Sequence, residues 1–163
     1  MTIKKYEAVY APEVADIYNH HVRETTVSFE TADVTPAEMG ARLEAIASGY
    51  PCIVCVDEAT GRLAGYAYAH KWKEKAAYDT TAETTVYVAE GFHRSGVGLM
   101  LMERLIADCS EAGLHVLIAC ITADNEASCR FHEKLGFEKV SEFRQVGRKF
   151  DSWLDVADYE LIL

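Results

Sequence analysis

Two side chains and one short loop have the residue types and spacing for acid–base chemistry on a bound ligand. Glu83 lies in TAETTVYV, a run rich in β-branched residues that predicts a strand. Alternation puts Glu83, Thr85 and Tyr87 on one face, so the carboxylate could face a ligand at the end of the strand. There it could act as a general base, although a solvated strand glutamate has the same pattern.

A glycine-containing loop, HRSGVG from His93 to Gly98, follows this strand and precedes an amphipathic run. The first turn of a helix has unpaired backbone N–H groups and the positive end of the helix dipole. The junction therefore suits an anion such as a pyrophosphate, with Gly96 and Gly98 allowing a close backbone approach. Two glycines at this spacing also mark ordinary tight turns, and the Gly-Lys-Ser/Thr signature of a P-loop is missing.

A histidine lies in NEASCRFHEKLGF, which predicts a helix begun by Asp124 or Asn125 and closed by Gly136. His132 could exchange a proton near neutral pH, but a helical histidine is more often a satisfied or surface residue. Capping alone explains Asn125. We interpret the remaining histidines outside the loop as satisfied or surface residues: His20, His21, His70 and His115.

Apolar periodicity and turn signals predict the elements that position these residues. Helices are expected after Pro12, from the capping box TPAE (residues 35–38) to near Gly49, from Gly96 to Gly113, and over NEASCRFHEK. Strands are expected at residues 3–9, in the hairpin of PCIVCV and LAGYAYAH, in TAETTVYV and HVLIACI, and at residues 139–146 and 153–163. The pattern predicts a single α/β domain over residues 1–163, a mixed, mostly antiparallel sheet with helices on both faces.

Composition excludes several partners. The net charge is −10 and no Lys/Arg cluster exceeds a dipeptide, so we expect no nucleic-acid binding. No apolar run approaches a membrane span or a leader h-region, so we expect a cytoplasmic protein that does not contact a membrane. The five cysteines lie mostly in apolar runs, and Cys52 and Cys55 should face opposite sides of one strand, which argues against disulfides and a metal site.

HRSGVG followed by NEASCRFHEKLGF resembles the GNAT superfamily of N-acetyltransferases, two separated motifs in the family's order. His93 departs from the glutamine or arginine usual at the first loop position. Three further segments, IYNHHVRETTVSFET, KWKEKAAYDTTAETTVYV and DSWLDVADYELIL, resemble the phosphinothricin and methionine sulfoximine acetyltransferases, so the likeness spans nearly the whole chain.

The resemblance implies acetyl-CoA as co-substrate and no metal. It makes Glu83 the base and His132 the acid for the departing thiolate. It implies that β-strand backbone at Val86, Tyr87 and Val88 splays from its neighbour to hold the pantetheine arm and the oxyanion. It assigns the pyrophosphate and other cofactor contacts to His93, Arg94, Ser95, Gly96, Val97, Gly98 and Asn125.

For the acceptor, the resemblance implies Phe29 as an aromatic wall and Lys73, Lys75 and Tyr78 as sources of charge and a hydroxyl, although KWKEKAAYD also suits a solvated loop. The predicted reaction is acetylation of the α-amine of a small amino acid analogue, by direct attack in a ternary complex of a homodimeric enzyme. The alternatives are a GNAT enzyme for another amine, such as a protein N-terminus, a polyamine or an antibiotic, and a non-catalytic acyl-CoA-binding regulatory domain.

Overall fold

The computed structural model describes all 163 residues and contains one seven-stranded sheet in the order β1-β2-β3-β4-β5-β7-β6. Every neighbouring pair is antiparallel except β4 and β5, which are parallel. The strands are β1 (Thr2–Lys5), β2 (Cys52–Val56), β3 (Leu63–Lys71), β4 (Thr81–Val88), β5 (Val116–Thr122), β6 (Glu138–Lys149) and β7 (Ser152–Ile162). The helices are α1 (Ala11–Glu24), α2 (Pro36–Ala47), α3 (Val97–Glu111) and α4 (Glu126–Lys134).

Two apolar clusters lie on opposite faces of the sheet. One joins α1 and α2 to the sheet around Val14 and Leu43. The other joins α3 to it around Leu101, and side chains of α4 pack against this second cluster. Cys52 belongs to the first cluster and Cys55 to the second, as strand alternation predicts. The mixed, mostly antiparallel α/β fold with helices on both faces is confirmed.

Local signals located most of the element boundaries. Thr35 and Glu38 form the predicted capping box of α2, and Asn125 caps α4 by accepting from the Ser128 N–H. The first strand was predicted too long, because β1 ends at Lys5 and Ala8–Tyr10 form a 3-10 turn. Helix α1 follows that turn directly, and its buried residues pack against the sheet. None of the four helices is long and apolar enough to span a bilayer.

The sheet opens between β4 and β5. Strand β4 pairs with β3 over its length, from Ala82 to Val88, but pairs with β5 only from Thr81 to Glu83. The remainder of β4 has no strand partner on the β5 side, which agrees with the splay that the resemblance implies. The opening is where the predicted site residues meet.

Candidate active site

A cavity of about 950 Å³ lies at this divergence. Its walls come from α1 and the segment that follows it, from β3, β4 and β5, from the loop before α3, and from α4. Glu83 and His132 both line it, and so do Phe29 and the β4 segment from Val86 to Val88. Residues spread over more than 100 positions of the chain therefore share one cavity.

Unpaired backbone forms one wall of the cavity, at the end beside the loop before α3. The Ala89 N–H donates to the Ala64 carbonyl at 3.0 Å, so the peptide groups of its neighbour Val88 are directed to the opposite, unpaired edge. The Nε2 atom of His93 lies 3.1 Å from the Val88 carbonyl oxygen on this edge. In this structure the His93 ring therefore contacts strand backbone.

The loop before α3 forms the end of the same region. Gly96 is the N-cap of α3 with φ +85°, a left-handed conformation that favours glycine. Gly96 precedes the free N–H groups of the first helical turn. A Cβ added at Gly98 would lie 3.5 Å from Val88 Cγ2, so the start of α3 lies close to the end of β4. Arg94 also has a positive φ, of 61°, so the backbone turns sharply twice within three residues. Such a loop followed by a helix N-terminus forms a concave set of donors suited to phosphate.

The predicted loop residues divide into two groups. His93, Arg94, Gly96 and Gly98 line the cavity, as does Asn125. Ser95 and Val97 do not. The Ser95 hydroxyl donates to the Phe92 carbonyl at 2.6 Å, and Val97 is buried in the α3 cluster. Any contact of these two residues with a ligand would therefore come from their backbone.

Glu83 lies where the pairing of β4 with β5 ends. Its side chain is 30% exposed, and burial raises the pKa of its carboxyl, with Asp158 also raising it and His70 lowering it. A carboxylate with a raised pKa holds an abstracted proton more readily than an ordinary surface glutamate. Glu83 thus has the environment of a general base.

His132 is buried on α4, and its ring makes T-shaped contacts with the rings of Phe131 and Phe137. Its Nδ1 lies 2.9 Å from the Ser128 carbonyl oxygen, and because a carbonyl only accepts, Nδ1 carries the proton. Burial lowers its pKa, while the bond to Ser128 raises it. Near neutral pH the imidazole is therefore mostly neutral, with an acceptor at Nε2, and donates from Nε2 only when protonated.

Aromatic and polar side chains, Phe29 among them, form one end of the cavity, here called the aromatic end. Phe29 packs on Gly147 so closely that a Cβ at Gly147 would overlap the Phe29 ring. The Lys149 ammonium donates to the carbonyl of the preceding residue, Ser28, at 2.6 Å. On α1, His21 lies 5.0 Å from the Tyr87 ring, and burial lowers its pKa to about 4. This end of the cavity is enclosed by side chains from distant segments.

The loop after β3 does not reach the cavity. The Lys73 ammonium lies 4.0 Å from the centre of the Trp72 ring and 5.2 Å from that of Tyr78, and none of Lys73, Lys75 and Tyr78 lines the cavity. Their role in acceptor binding stays a prediction, without support from the arrangement of this chain.

Several cavity residues were missed from sequence. His21 and His70 were both interpreted as satisfied or surface residues. For His21 this was wrong, because its Nδ1 is buried without a hydrogen-bond partner. For His70 it was incomplete, because His70 lines the cavity. The hairpin could have located His70, since counting along β3 and β4 sets it opposite Glu83. No local signal in the sequence distinguishes further cavity residues from ordinary core and surface residues, among them Tyr18, Ser28, Tyr68, Cys120, Phe131 and Val156.

The fold and this cavity agree with the proteins that the chain matches. Residues 14–137 match the Acetyltransferase (GNAT) family. Phosphinothricin N-acetyltransferase of Streptomyces coelicolor is 40% identical over 149 residues, covering 90% of this chain and 87% of that protein. The L-methionine sulfoximine/L-methionine sulfone acetyltransferase of Pseudomonas paraeruginosa is 37% identical over 153 residues, covering 93% and 88%. A putative acetyltransferase from Salmonella typhimurium, solved with its cofactor acetyl-CoA, has a TM-score of 0.95 at 34% identity, covering 100% of this chain and 94% of that one.

The chain therefore belongs to the GNAT acetyltransferase family and is an N-acetyltransferase that uses acetyl-CoA. Within that family it lies in the subfamily of the phosphinothricin and methionine sulfoximine acetyltransferases.

Proposed function

We propose that this enzyme acetylates the α-amine of a small amino acid analogue of the phosphinothricin, methionine sulfoximine or methionine sulfone type, by direct attack in a ternary complex. The observation that carries the proposal is that one cavity joins Glu83 and the aromatic end, where the acceptor would bind, to the α3 N-terminus. Both reactants would thus meet without a covalent enzyme intermediate. The names of the similar enzymes supply the acceptor class.

Glu83 would supply the base. An aliphatic amine is mostly ammonium at neutral pH, and only the neutral nitrogen can attack a thioester. The Glu83 carboxylate, with its raised pKa, would take the proton directly or through one water. As the nitrogen attacks, backbone N–H groups between Val86 and Val88 would stabilise the oxyanion with fixed dipoles.

The cofactor would be held mainly by backbone. The fit rests on the unpaired edge of β4, which offers peptide groups to an extended amide-containing arm, and on the N–H groups at the start of α3, which suit a pyrophosphate. Side chains of His93, Arg94 and Asn125 would add contacts at the rim. Acetyl-CoA would supply the activated acetyl group.

His132 would protonate the departing thiolate, and its environment predicts how this contribution depends on pH. Because burial lowers its pKa, the imidazolium form falls to a small fraction as pH rises toward neutrality. The expected effect of His132→Asn on kcat is a loss of several-fold near pH 6 that shrinks toward pH 8, measured as thiol release under saturating substrates. An equal loss at every pH would contradict a role as acid. Phe131→Leu, a change at a neighbouring cavity residue, is the matched control and should show no such pH dependence.

We also propose that the enzyme is a homodimer and that the chain forms one domain. The edge strand β6, the turn that follows it and the start of β7 expose large apolar side chains, including Phe143, Val146, Phe150 and Trp153. An exposed apolar edge favours pairing with another chain. Sedimentation equilibrium of the purified chain tests the proposal, and Val146→Lys should shift a dimer toward monomer.

The experiment that tests the proposed function is a thiol-release assay with acetyl-CoA across a panel of acceptors. Phosphinothricin, methionine sulfoximine and methionine sulfone are expected to give kcat/KM at least tenfold above polyamines and peptides. A preference for polyamines or peptides would overturn the acceptor class. Thioester consumption without any acceptor preference would overturn catalysis of a specific transfer.

A further inference from the structure

Beside Glu83 the cavity contains a second group that can hold a proton. His70 and Glu83 face each other across the β3–β4 pairing, and both line the cavity. The Nε2 atom of His70 lies 3.9 Å from Glu83 Oε1, a gap that a small side-chain rotation or one water closes. Both side chains are about one-third exposed, 32% for His70 and 30% for Glu83, so neither is shut off from the ligand or from solvent.

The tautomer of His70 follows from its other ring nitrogen. Nδ1 lies 3.0 Å from the Lys71 carbonyl oxygen, and because a carbonyl only accepts, Nδ1 carries the proton. In the neutral ring Nε2 then has a lone pair, directed at the carboxylate of Glu83. A proton that Glu83 takes up can then pass to this lone pair, which leaves the carboxylate free again.

The reaction has more protons to remove than one carboxylate can store. An acceptor that binds as an ammonium loses one proton to become nucleophilic and a second as its nitrogen bonds to the acetyl carbon and the C–S bond breaks. The departing thiolate takes up one proton. A group that relieves Glu83 between these two losses would keep the carboxylate available as the base.

His70 also has an outlet to solvent. Besides lining the main cavity, it lines a second one of about 420 Å³ between α2 and the end of β3. This second cavity is also lined by Arg42, Tyr50, Tyr68 and Lys71. The His70 ring therefore borders both cavities, and a proton that it takes up can be released to water in the second one.

We propose that His70 acts through Glu83 as a positioning residue and proton relay, taking the proton that Glu83 removes from the acceptor amine and releasing it to solvent on the α2 side. The inference rests on the proposed function of Glu83 as base. The proton passes from the amine nitrogen to the carboxylate and from there to Nε2, and no other bond of His70 or Glu83 changes.

The titratable and charged groups around the pair define the pH dependence. His70 contacts Tyr68 of β3 and lies beside Glu83 of β4, and it shares the second cavity with Lys71 of β3, Arg42 of α2 and Tyr50 of the following turn. Glu83 also interacts with Asp158 of β7 and Cys120 of β5. The Lys71 ammonium is paired with Glu74 at 3.6 Å and the Arg42 guanidinium with Glu30 at 2.8 Å, so each cation has its own carboxylate partner. Protonation of the Glu83 carboxylate is therefore expected to form the acid limb of kcat/KM for the acceptor, since only the unprotonated carboxylate can accept a proton from the amine.

The test compares His70→Asn, which can still donate to the Lys71 carbonyl but cannot titrate, with the wild-type enzyme. We expect kcat/KM for the acceptor to fall about tenfold at pH 7 with KM for acetyl-CoA unchanged, and the midpoint of the acid limb to move to higher pH, because the variant lacks the group that lowers the pKa of the Glu83 carboxyl. A loss that is equal at every pH, with the acid limb unmoved, would reduce His70 to a structural role and overturn the inference.

Chemical rescue provides a second readout. In His70→Ala, added imidazole can enter from the second cavity and is expected to restore activity several-fold, in proportion to the neutral imidazole present. His115→Ala, at an exposed histidine outside both cavities, is the matched control and should not respond. Absence of rescue in a His70→Ala enzyme with an unchanged Tm would overturn the relay. If the wild-type enzyme acetylates none of the amino acid analogues, the proposed function fails; if it does so and the two His70 results are negative, only the relay fails.

Discussion

The two ends of the cavity are built from different parts of the chain. At the end proposed for the cofactor (the cofactor end), the groups available to a ligand are mostly peptide groups, on the unpaired edge of β4 and at the start of α3. At the aromatic end, proposed for the acceptor (the acceptor end), they are side chains, among them Glu83, His70, His21 and Phe29. Substitutions should therefore act through backbone conformation at the first end and through side-chain chemistry at the second.

The largest effect is expected from Glu83→Gln, which keeps the shape of the side chain and removes the base. We expect kcat to fall by about two to three orders of magnitude at pH 7, with a small change in the Kd of acetyl-CoA. Steady-state thiol release and equilibrium binding measure the two quantities. Glu103→Gln, at an exposed position on α3, is the control. A rate within a few-fold of wild type would remove Glu83 as base.

A backbone effect at the cofactor end is expected from Gly96→Ala. The alanine Cβ would meet no atom within 4 Å, but φ of +85° is unfavourable for an L side chain, by about 1 kcal/mol. Relief of that strain turns the N–H groups at the start of α3, so we expect the Kd of acetyl-CoA to rise about tenfold.

Gly113 supplies the matched control, since its φ is +83°, it too has open space around a Cβ, and it lies at the far end of α3. Gly113→Ala should lower the Tm as much as Gly96→Ala does and leave the Kd of acetyl-CoA unchanged. Equal Kd values for the two variants would place the pyrophosphate elsewhere.

At the acceptor end, Phe29→Ala should remove an aromatic wall that packs on Gly147. We expect KM for the acceptor to rise about fivefold to tenfold with little change in KM for acetyl-CoA. Lys75→Gln is the contrasting variant, because Lys75 does not line the cavity. A larger rise in KM for the acceptor from Lys75→Gln than from Phe29→Ala would favour the loop after β3, rather than the aromatic end, as the acceptor site.

The same contrast explains what could be predicted from sequence. A backbone site leaves local signals, because a strand, a glycine turn and a helix start follow one another along HRSGVG and can be recognised together. The splay between β4 and β5 follows from the family resemblance rather than from any residue pattern in β4. The acceptor end combines residues from α1, β3, β4 and β5, and their proximity depends on sheet order, which periodicity does not determine. His70 illustrates this, since it becomes informative only when the register opposite Glu83 is known.

The smallest effect is expected at His93, the one position where the loop departs from the family pattern. Its ring lies against the Val88 carbonyl oxygen at 3.1 Å, on the strand edge rather than over the α3 N-terminus. Glutamine can donate to the same oxygen, so His93→Gln should change the Kd of acetyl-CoA less than threefold at any pH. If His93 instead bound phosphate as an imidazolium, affinity for acetyl-CoA in the wild type would rise as pH falls through the histidine range, and the glutamine variant would lose that rise. Measuring Kd from pH 5.5 to 8 for both proteins, a range set by the ordinary imidazole pKa of about 6.5, separates the two cases. A flat profile in both would leave the cofactor end dependent on backbone, whereas a steep wild-type profile would show that one side chain of this end carries part of the binding.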